Sequence, residues 1–287
     1  MSFKLALSAG HGYHTPGKRC DINIDKNQTR EWWLNDRIAD KIQSLLSEYE
    51  NIDILRLDDT TGQVDIVLKD RTAKANNWKA NLYLSIHHNA GINGGTGGGI
   101  TAYIYNGNVP QSTIDWQQSF YNELVNLTGL KGNRSNGCPR SNLHECRESS
   151  MDAVLLELGF MDSTTDVPII LTEDFANKCA QACAYVIVSK AGLIKKQLQQ
   201  LYRVRTTWTD SKSQRGAYTS LDSAKKCCQD AGVGYNVFDN LGNIVYSYIK
   251  TEVDPIENQD TNLSESLNKI IRLLENLLNV ISKIFTK

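Results

Sequence analysis

Leu5-Ala6-Leu7-Ser8-Ala9-Gly10-His11-Gly12 is a short apolar run that ends on a histidine held between two glycines. Two further runs close on chemistry in the same way: Leu82-Tyr83-Leu84-Ser85-Ile86-His87-His88-Asn89 and Ala153-Val154-Leu155-Leu156-Glu157-Leu158-Gly159-Phe160. Short apolar stretches bounded by glycine and polar residues read as buried strands. Open α/β sheets bind ligands at the carboxyl ends of their strands. His11, His87 and Glu157 are therefore expected just past three strand ends, where distant segments converge.

Outward from these runs the pattern alternates strand and helix. Strands are predicted over Phe3–Ala9, Ile52–Leu57, Leu82–Ile86, Gly99–Tyr105 and Ala153–Leu158, and helices near 30–49, 65–79, 112–128 and 173–190. Leu34, Ile38, Ile42, Leu45 and Tyr49 form the apolar stripe of the first helix. Such alternation implies an α/β fold, a mostly parallel twisted sheet flanked by helices. This body is expected to fill residues 1–194.

A polar joint, Lys195–Gln200, leads to a small α+β C-terminal module over 201–250. Its strands are Leu201–Thr206, Tyr235–Phe238 and Ile244–Ile249, and its helix is Ser220–Ala231. A second polar linker with Pro255 leads to a terminal amphipathic helix within 260–287, with Asn262 and Glu265 arranged like a capping box. Leu263, Leu267, Ile270, Leu274, Leu277, Ile281 and Ile284 step by four and three, and Ile271, Leu278 and Phe285 add a third column. Docking on its own chain, self-association into a homo-oligomer and lying on a membrane surface all suit such a helix. Its polar side mixes Glu265 and Glu275 with Lys269, Arg272 and Lys283, which lacks the basic bias of a membrane binder.

Composition narrows the classes. Lys+Arg 31 against Asp+Glu 32 leaves a formal charge of -1, so no nucleic acid partner is expected. No stretch approaches the roughly 20 apolar residues of a spanning helix, so no stable membrane insertion is expected. The first ten residues are too poor in apolar side chains for a signal peptide. Seven cysteines leave an odd thiol, against a disulfide framework. Cys179 and Cys183, one helical turn apart, read as a buried thiol pair. Cys138 and Cys146 flank His144 at a spacing that matches no usual zinc pattern. Gly94–Gly99 reads as a flexible connection bordering the cleft, since no Gly-Lys-Ser/Thr follows it.

Taken singly, each site residue has an ordinary reading. His11 suits a turn histidine bonded to nearby backbone. Glu31 heads the stripe of Leu34 and Ile38, where a carboxylate is costly unless a cation compensates it, yet it also suits a first-turn acid favoured by the helix dipole. His87 and His88 point to opposite sides of a strand, and spacing does not choose between them. Glu157 interrupts a buried strand, as an acid that is either paired in the core or functional. Together, two imidazoles and a carboxylate with one carboxylate in reserve are what a catalytic zinc and its general base require.

Ser8–Gly12, Glu31, Arg71 with Ala75-Asn76, Ser85–Ala90 and Leu156–Phe160 resemble, in the same order along residues 3–192, the zinc-dependent N-acetylmuramoyl-L-alanine amidases (the amidase 3 type) of bacterial autolysins and phage endolysins. The resemblance implies that His11, Glu31 and His87 ligate zinc and that Glu157 is the catalytic acid/base. It selects His87 over His88 and leaves Asn89 to orient the site or touch substrate. Departures lie at Met151-Asp152 and Asp162-Ser163, away from these four residues.

The implied activity is hydrolysis of the amide between N-acetylmuramic acid and L-alanine in peptidoglycan, in a phage or prophage endolysin acting in host lysis. Such an enzyme would be made in the host cytoplasm without a signal peptide and reach the wall after holin-type release or lysis. A zinc peptidase acting on stem peptides and a non-enzymatic wall-binding protein are the alternatives. The 201–250 module, through Tyr202–Arg205, Ser213–Tyr218 and Tyr235–Asp239, resembles small wall-associated repeats of phage and clostridial lysins. Tyr202, Trp208, Tyr218 and Tyr235 there suit either sugar stacking or core packing.

Overall fold

Alternation along the first strand assigns its side chains to two separate cores: Leu5, Leu7 and Ala9 enter one, and Ala6 the other. The computed structural model describes residues 2–197, 199–249 and 267–275. The chain divides into two compact units, Met1–Gln197 and Leu198–Lys287.

The first unit runs β1 (Phe3–Ala9), α1 (Glu31–Leu46), β2 (Ile52–Arg56), α2 (Leu68–Trp78), β3 (Leu82–Asn89), β4 (Ile100–Tyr105), α3 (Gln111–Thr128), β5 (Arg140–Ser141), α4 (His144–Glu148), β6 (Asp152–Phe160), α5 (Val167–Ile170) and α6 (Glu173–Ala191). Its sheet has the order β2-β1-β3-β6-β4-β5. All neighbours are parallel except β4 against β6. This is the expected mostly parallel α/β sheet flanked by helices.

One face carries α1, α3 and α6, and their contact buries the larger core. In α1 the buried ridge is Leu34, Ile38, Ile42 and Leu46, and the expected Leu45 packs partly buried against the same core. Replacing Ile38 by alanine there is worth about 2–5 kcal/mol, the usual range for a buried aliphatic truncation. Cys179 and Cys183 of α6 are fully buried in this layer, as their spacing indicated. The opposite face is thinner: Ala6, Tyr83 and Ala153 of the sheet meet Ala75 and Trp78 of α2. The short α4 packs beside α2 on that face.

β3 runs on to Asn89, further than its apolar core suggests, so His87 lies inside the strand, as Glu157 does in β6. β5, α4 and α5 had no periodic signal in sequence, being two to five residues long. Gly97, Gly98 and Gly99, expected in a flexible connection, donate their backbone N–H groups to Thr165, Asn133 and Asp166. Gly99 has φ +84 and lies against the Gly132 backbone, where a Cβ would not fit.

The second unit contains β7 (Tyr202–Arg205), a 3₁₀ turn (Ser211–Ser213), β8 (Gly216–Tyr218), α7 (Leu221–Ala231), β9 (Asn236–Phe238) and β10 (Ile244–Ser247). The strands form an antiparallel sheet in the order β10-β9-β7-β8. Val204, Ala224, Cys228 and Val237 make its core, with Tyr202, Tyr218 and Tyr235 packed partly against it. Trp208 sits beside Phe238, their rings 5.9 Å apart, and under the guanidinium of Arg205. Residues 267–275 are helical, and Leu267, Ile270, Ile271, Leu273 and Leu274 are exposed. The capping pair Asn262 and Glu265 and the apolar positions from Leu277 onward lie outside the described residues. Among the described residues no helix is long and apolar enough to cross a membrane.

Candidate metal centre and its carboxylates

β1 delivers His11 through a strained turn. His11 has φ +68, a left-handed conformation that costs a non-glycine residue about 1–3 kcal/mol and persists only when its surroundings hold it. Arg71 of α2 does the holding. Its buried guanidinium donates to the Ser8 hydroxyl at 2.8 Å, the Ala9 carbonyl at 2.6 Å, the Ile66 carbonyl at 2.8 Å and the His11 carbonyl at 3.0 Å. Gly10 must be glycine for a different reason. A Cβ there would stand 2.2 Å from Cε1 of His87, because the imidazole lies directly on its backbone.

The first turn of α1 supplies two polar side chains to β3, one to each histidine. Glu31 and Asn35 are four residues apart and share a face. Glu31 Oε1 lies 3.2 Å from His87 Nδ1 and 3.4 Å from His11 Nε2. Asn35 Oδ1 lies 2.8 Å from His88 Nδ1. The two adjacent histidines thus point to opposite sides of β3, and only His87 joins His11 and Glu31. Burial drives the His88 imidazole down to about 3, so it is neutral.

One ligand atom from each of His11, Glu31 and His87 lies within 4.8 Å of the others. Glu31 is fully buried. Burial opposes its charge, but hydrogen bonding and charge from His11 and His87 outweigh it and hold the carboxyl well below the usual range. Lys18 Nζ adds a contact at 3.6 Å to Oε2. His11 Nε2 and Glu31 Oε2 are buried with no hydrogen-bond partner. Unpaired buried polar atoms of this kind are costly, and a divalent cation satisfies them. Two imidazoles and one carboxylate leaving a position for water match a catalytic zinc donor set. The residues present fit such an ion.

Glu157 stands beside this cluster by strand register. It is paired with His87 across β3 and β6 and with Thr101 across β6 and β4, so its side chain shares the face of His87. Its Oε2 is buried and unpartnered. Burial lifts the carboxyl to about 7; His87 and Lys18 oppose the lift, while Glu31 and Glu145 add to it. An acid poised there suits proton transfer near neutrality.

Sequence reading missed Glu145. This residue of α4 is buried, and its Oε1 accepts from the Tyr83 hydroxyl at 2.8 Å and the Ser85 hydroxyl at 2.9 Å. Its Oε2 lies 3.4 Å from His87 Nε2. Burial pushes the Glu145 carboxyl up, but His87 and then Tyr83 and Arg71 prevail and hold it at about 2. Burial likewise disfavours a charged His87, yet Glu145 and Glu31 together lift its imidazole to about 10. A signal did exist: Tyr83, Ser85 and His87 form a polar column at alternate strand positions, which needs a polar partner. Asn35 was missed as well. Asn89, by contrast, turns its Oδ1 to the Ala90 N–H at 2.9 Å, toward its own loop. His144 meets the Thr72 hydroxyl and Cys146 the Tyr103 carbonyl.

One cleft opens on the cluster, and a second is lined by neighbours of it in the chain. The first, about 350 Å³, is lined by His11, Asp65, Ile66, Val67, Leu68 and His87. The other, about 530 Å³, is polar and cationic, with Tyr13, Arg19, Arg30 and Trp33 in its wall.

Residues 5–189 match a family model described as N-acetylmuramoyl-L-alanine amidase. The chain is 32% identical over 203 residues to the sporulation-specific N-acetylmuramoyl-L-alanine amidase of Bacillus subtilis (strain 168), covering 70% of this chain and 73% of that one. It is 29% identical over 196 residues to the endolysin of Bacillus phage SPP1, covering 68% and 69% respectively. Among solved structures, the N-acetylmuramoyl-L-alanine amidase of Clostridium difficile 630 superposes with a TM-score of 0.59 at 27% identity, over 67% of this chain and 97% of that one.

Proposed function

This chain belongs to the N-acetylmuramoyl-L-alanine amidase family and hydrolyses the peptidoglycan amide between N-acetylmuramic acid and L-alanine; we propose that it does so as a zinc enzyme, with His11, Glu31 and His87 as metal ligands and Glu157 as proton carrier. The observation that supports this reading is the convergence of three ligand atoms within 4.8 Å of one another, beside a buried carboxylate in register with His87.

When bound, zinc supplies a Lewis acid that lowers the pKa of a water to about 7 and polarises a carbonyl. The remaining work belongs to the chain. Glu157 takes a proton from the attacking water and returns it to the departing amine. The new C–O bond leaves a lactyl carboxyl on the glycan, and the broken C–N bond leaves a free L-alanine amine on the stem peptide. Arg71 and Gly10 keep the two imidazoles in place while this happens.

Mass analysis of products from purified peptidoglycan tests the reading. Free lactyl carboxyls and peptides beginning with L-alanine are expected, lost with a chelator and restored by zinc. New termini within the stem peptides, with the lactyl amide intact, would instead assign a zinc peptidase.

The second unit is proposed as a wall-binding module, supported by half-buried basic and aromatic groups such as Arg205 over the Trp208 ring. Self-association through the terminal helix is proposed from its exposed Leu267, Ile270 and Leu274. Host lysis by a phage or prophage endolysin is the proposed setting, supported by the likeness to the SPP1 endolysin. Bacteria making the protein in their cytoplasm should stay intact until a holin opens the membrane. Lysis without that opening would argue for another route to the wall.

A further inference from the structure

We propose that Glu145 is a positioning residue that fixes the orientation and tautomer of His87 and thereby sets how tightly the site holds its metal; this rests on reading His87 as a metal ligand. The geometry begins with β3. Tyr83, Ser85 and His87 are alternate residues on one strand face, and all three direct polar atoms at the Glu145 carboxylate. Two hydroxyls occupy Oε1 at 2.8 and 2.9 Å, which leaves Oε2 aimed at His87 Nε2, 3.4 Å away.

The other ring nitrogen faces the cluster. His87 Nδ1 lies 3.2 Å from Glu31 Oε1, and that oxygen lies 3.4 Å from His11 Nε2. Nδ1 is therefore the atom directed at the metal position, and Nε2–H points away from it. Nε2 has no hydrogen bond within the protein, and Glu145 Oε2 at 3.4 Å is its ion-pair partner. A ligating imidazole whose second N–H meets a carboxylate is held in one tautomer and made more basic, and loss of such a partner typically costs 10- to 100-fold in metal affinity.

A purely architectural purpose accounts poorly for the arrangement. An ionised carboxylate buried behind the strand costs several kcal/mol to desolvate. A neutral amide would join the Tyr83 and Ser85 hydroxyls to α4 without that cost. The charge gains its compensation from His87, on the ring nitrogen that the cluster leaves free.

The test is zinc affinity of the full chain, measured by competition with a chromophoric chelator and separately from thermal stability of the zinc-free protein. Wild type should bind one zinc. Glu145→Gln, which keeps an acceptor but not the charge, should raise the zinc Kd by about 10-fold, and Glu145→Ala by about 100-fold. Tyr83→Phe frees Oε1 without touching His87 and should weaken binding less than either. Unchanged Kd in Glu145→Gln and Glu145→Ala, with a lower melting temperature alone, would make Glu145 structural and overturn the inference. If Glu145→Ala does not fold, the isosteric Glu145→Gln decides by the same criterion. A wild-type chain that binds no zinc would remove the ligand assignment itself, a distinct failure.

Discussion

At the residue scale the proposed site divides into groups assigned to hold a metal, one assigned to move a proton and several that keep the first set in place. Glu157→Gln should lower the rate by about 10²- to 10⁴-fold, the usual worth of acid–base assistance, with zinc content unchanged in elemental analysis. Glu31→Ala should lose the metal instead, because its Oε1 faces both imidazoles. Zinc retained at full stoichiometry in that variant would remove Glu31 from the ligand set. Gly10→Ala separates packing from ligation. Its new methyl would collide with the His87 ring at 2.2 Å, so zinc binding should weaken although no ligand has changed. These roles follow from different physical causes and need different assays. Three of the four residues named from sequence end or interrupt apolar runs, where a charged or imidazole side chain is conspicuous. Glu145 sits in the five-residue helix α4 and was missed, because nothing near it in the chain says that it meets the polar column of Tyr83, Ser85 and His87.

At the element scale, α2 matters to the site through a single side chain. Arg71→Met would leave the Ala9, Ile66 and His11 carbonyls without their donor, each worth about 1–3 kcal/mol when buried and unsatisfied. The melting temperature should fall by several degrees, at about 2–4 °C per kcal/mol for a body of this size. The left-handed His11 turn should relax too, with a measurable drop in zinc affinity. A variant that melts as wild type does would show that β1 holds its own turn. The helices α1, α3 and α6 were legible because each repeats its apolar side chains at helical spacing. The elements α4, α5 and β5 are too short to show a period, and long-range packing decides them. β3 outran its expected end because the signal used was hydrophobicity, and it continues into the buried polar residues His87 and His88.

At the scale of the whole molecule, two units divide the labour proposed for them. A chain ending after Gln197 should hydrolyse soluble muropeptides at the full-length rate but fail to sediment with purified walls. Equal sedimentation by both proteins would contradict the targeting role of the second unit. Light scattering should find the full chain larger than a monomer, and Ile270→Asp with Leu274→Asp should return it to one. The sequence by itself carried the strand and helix alternation, the polar joint at Lys195–Gln200 and the candidates His11, Glu31, Glu157 and the His87-His88 pair. Periodicity, composition breaks and charges set in apolar runs are local properties, readable along the chain. Only the tertiary structure decided that His87 and not His88 joins the cluster by geometry, and that Asn35 takes the other ring. It alone brought Arg71 under the His11 turn and Glu145 behind His87. Those contacts join residues about 50 to 60 positions apart across parallel strands and helix faces, and register and packing, which no local pattern encodes, select the partners.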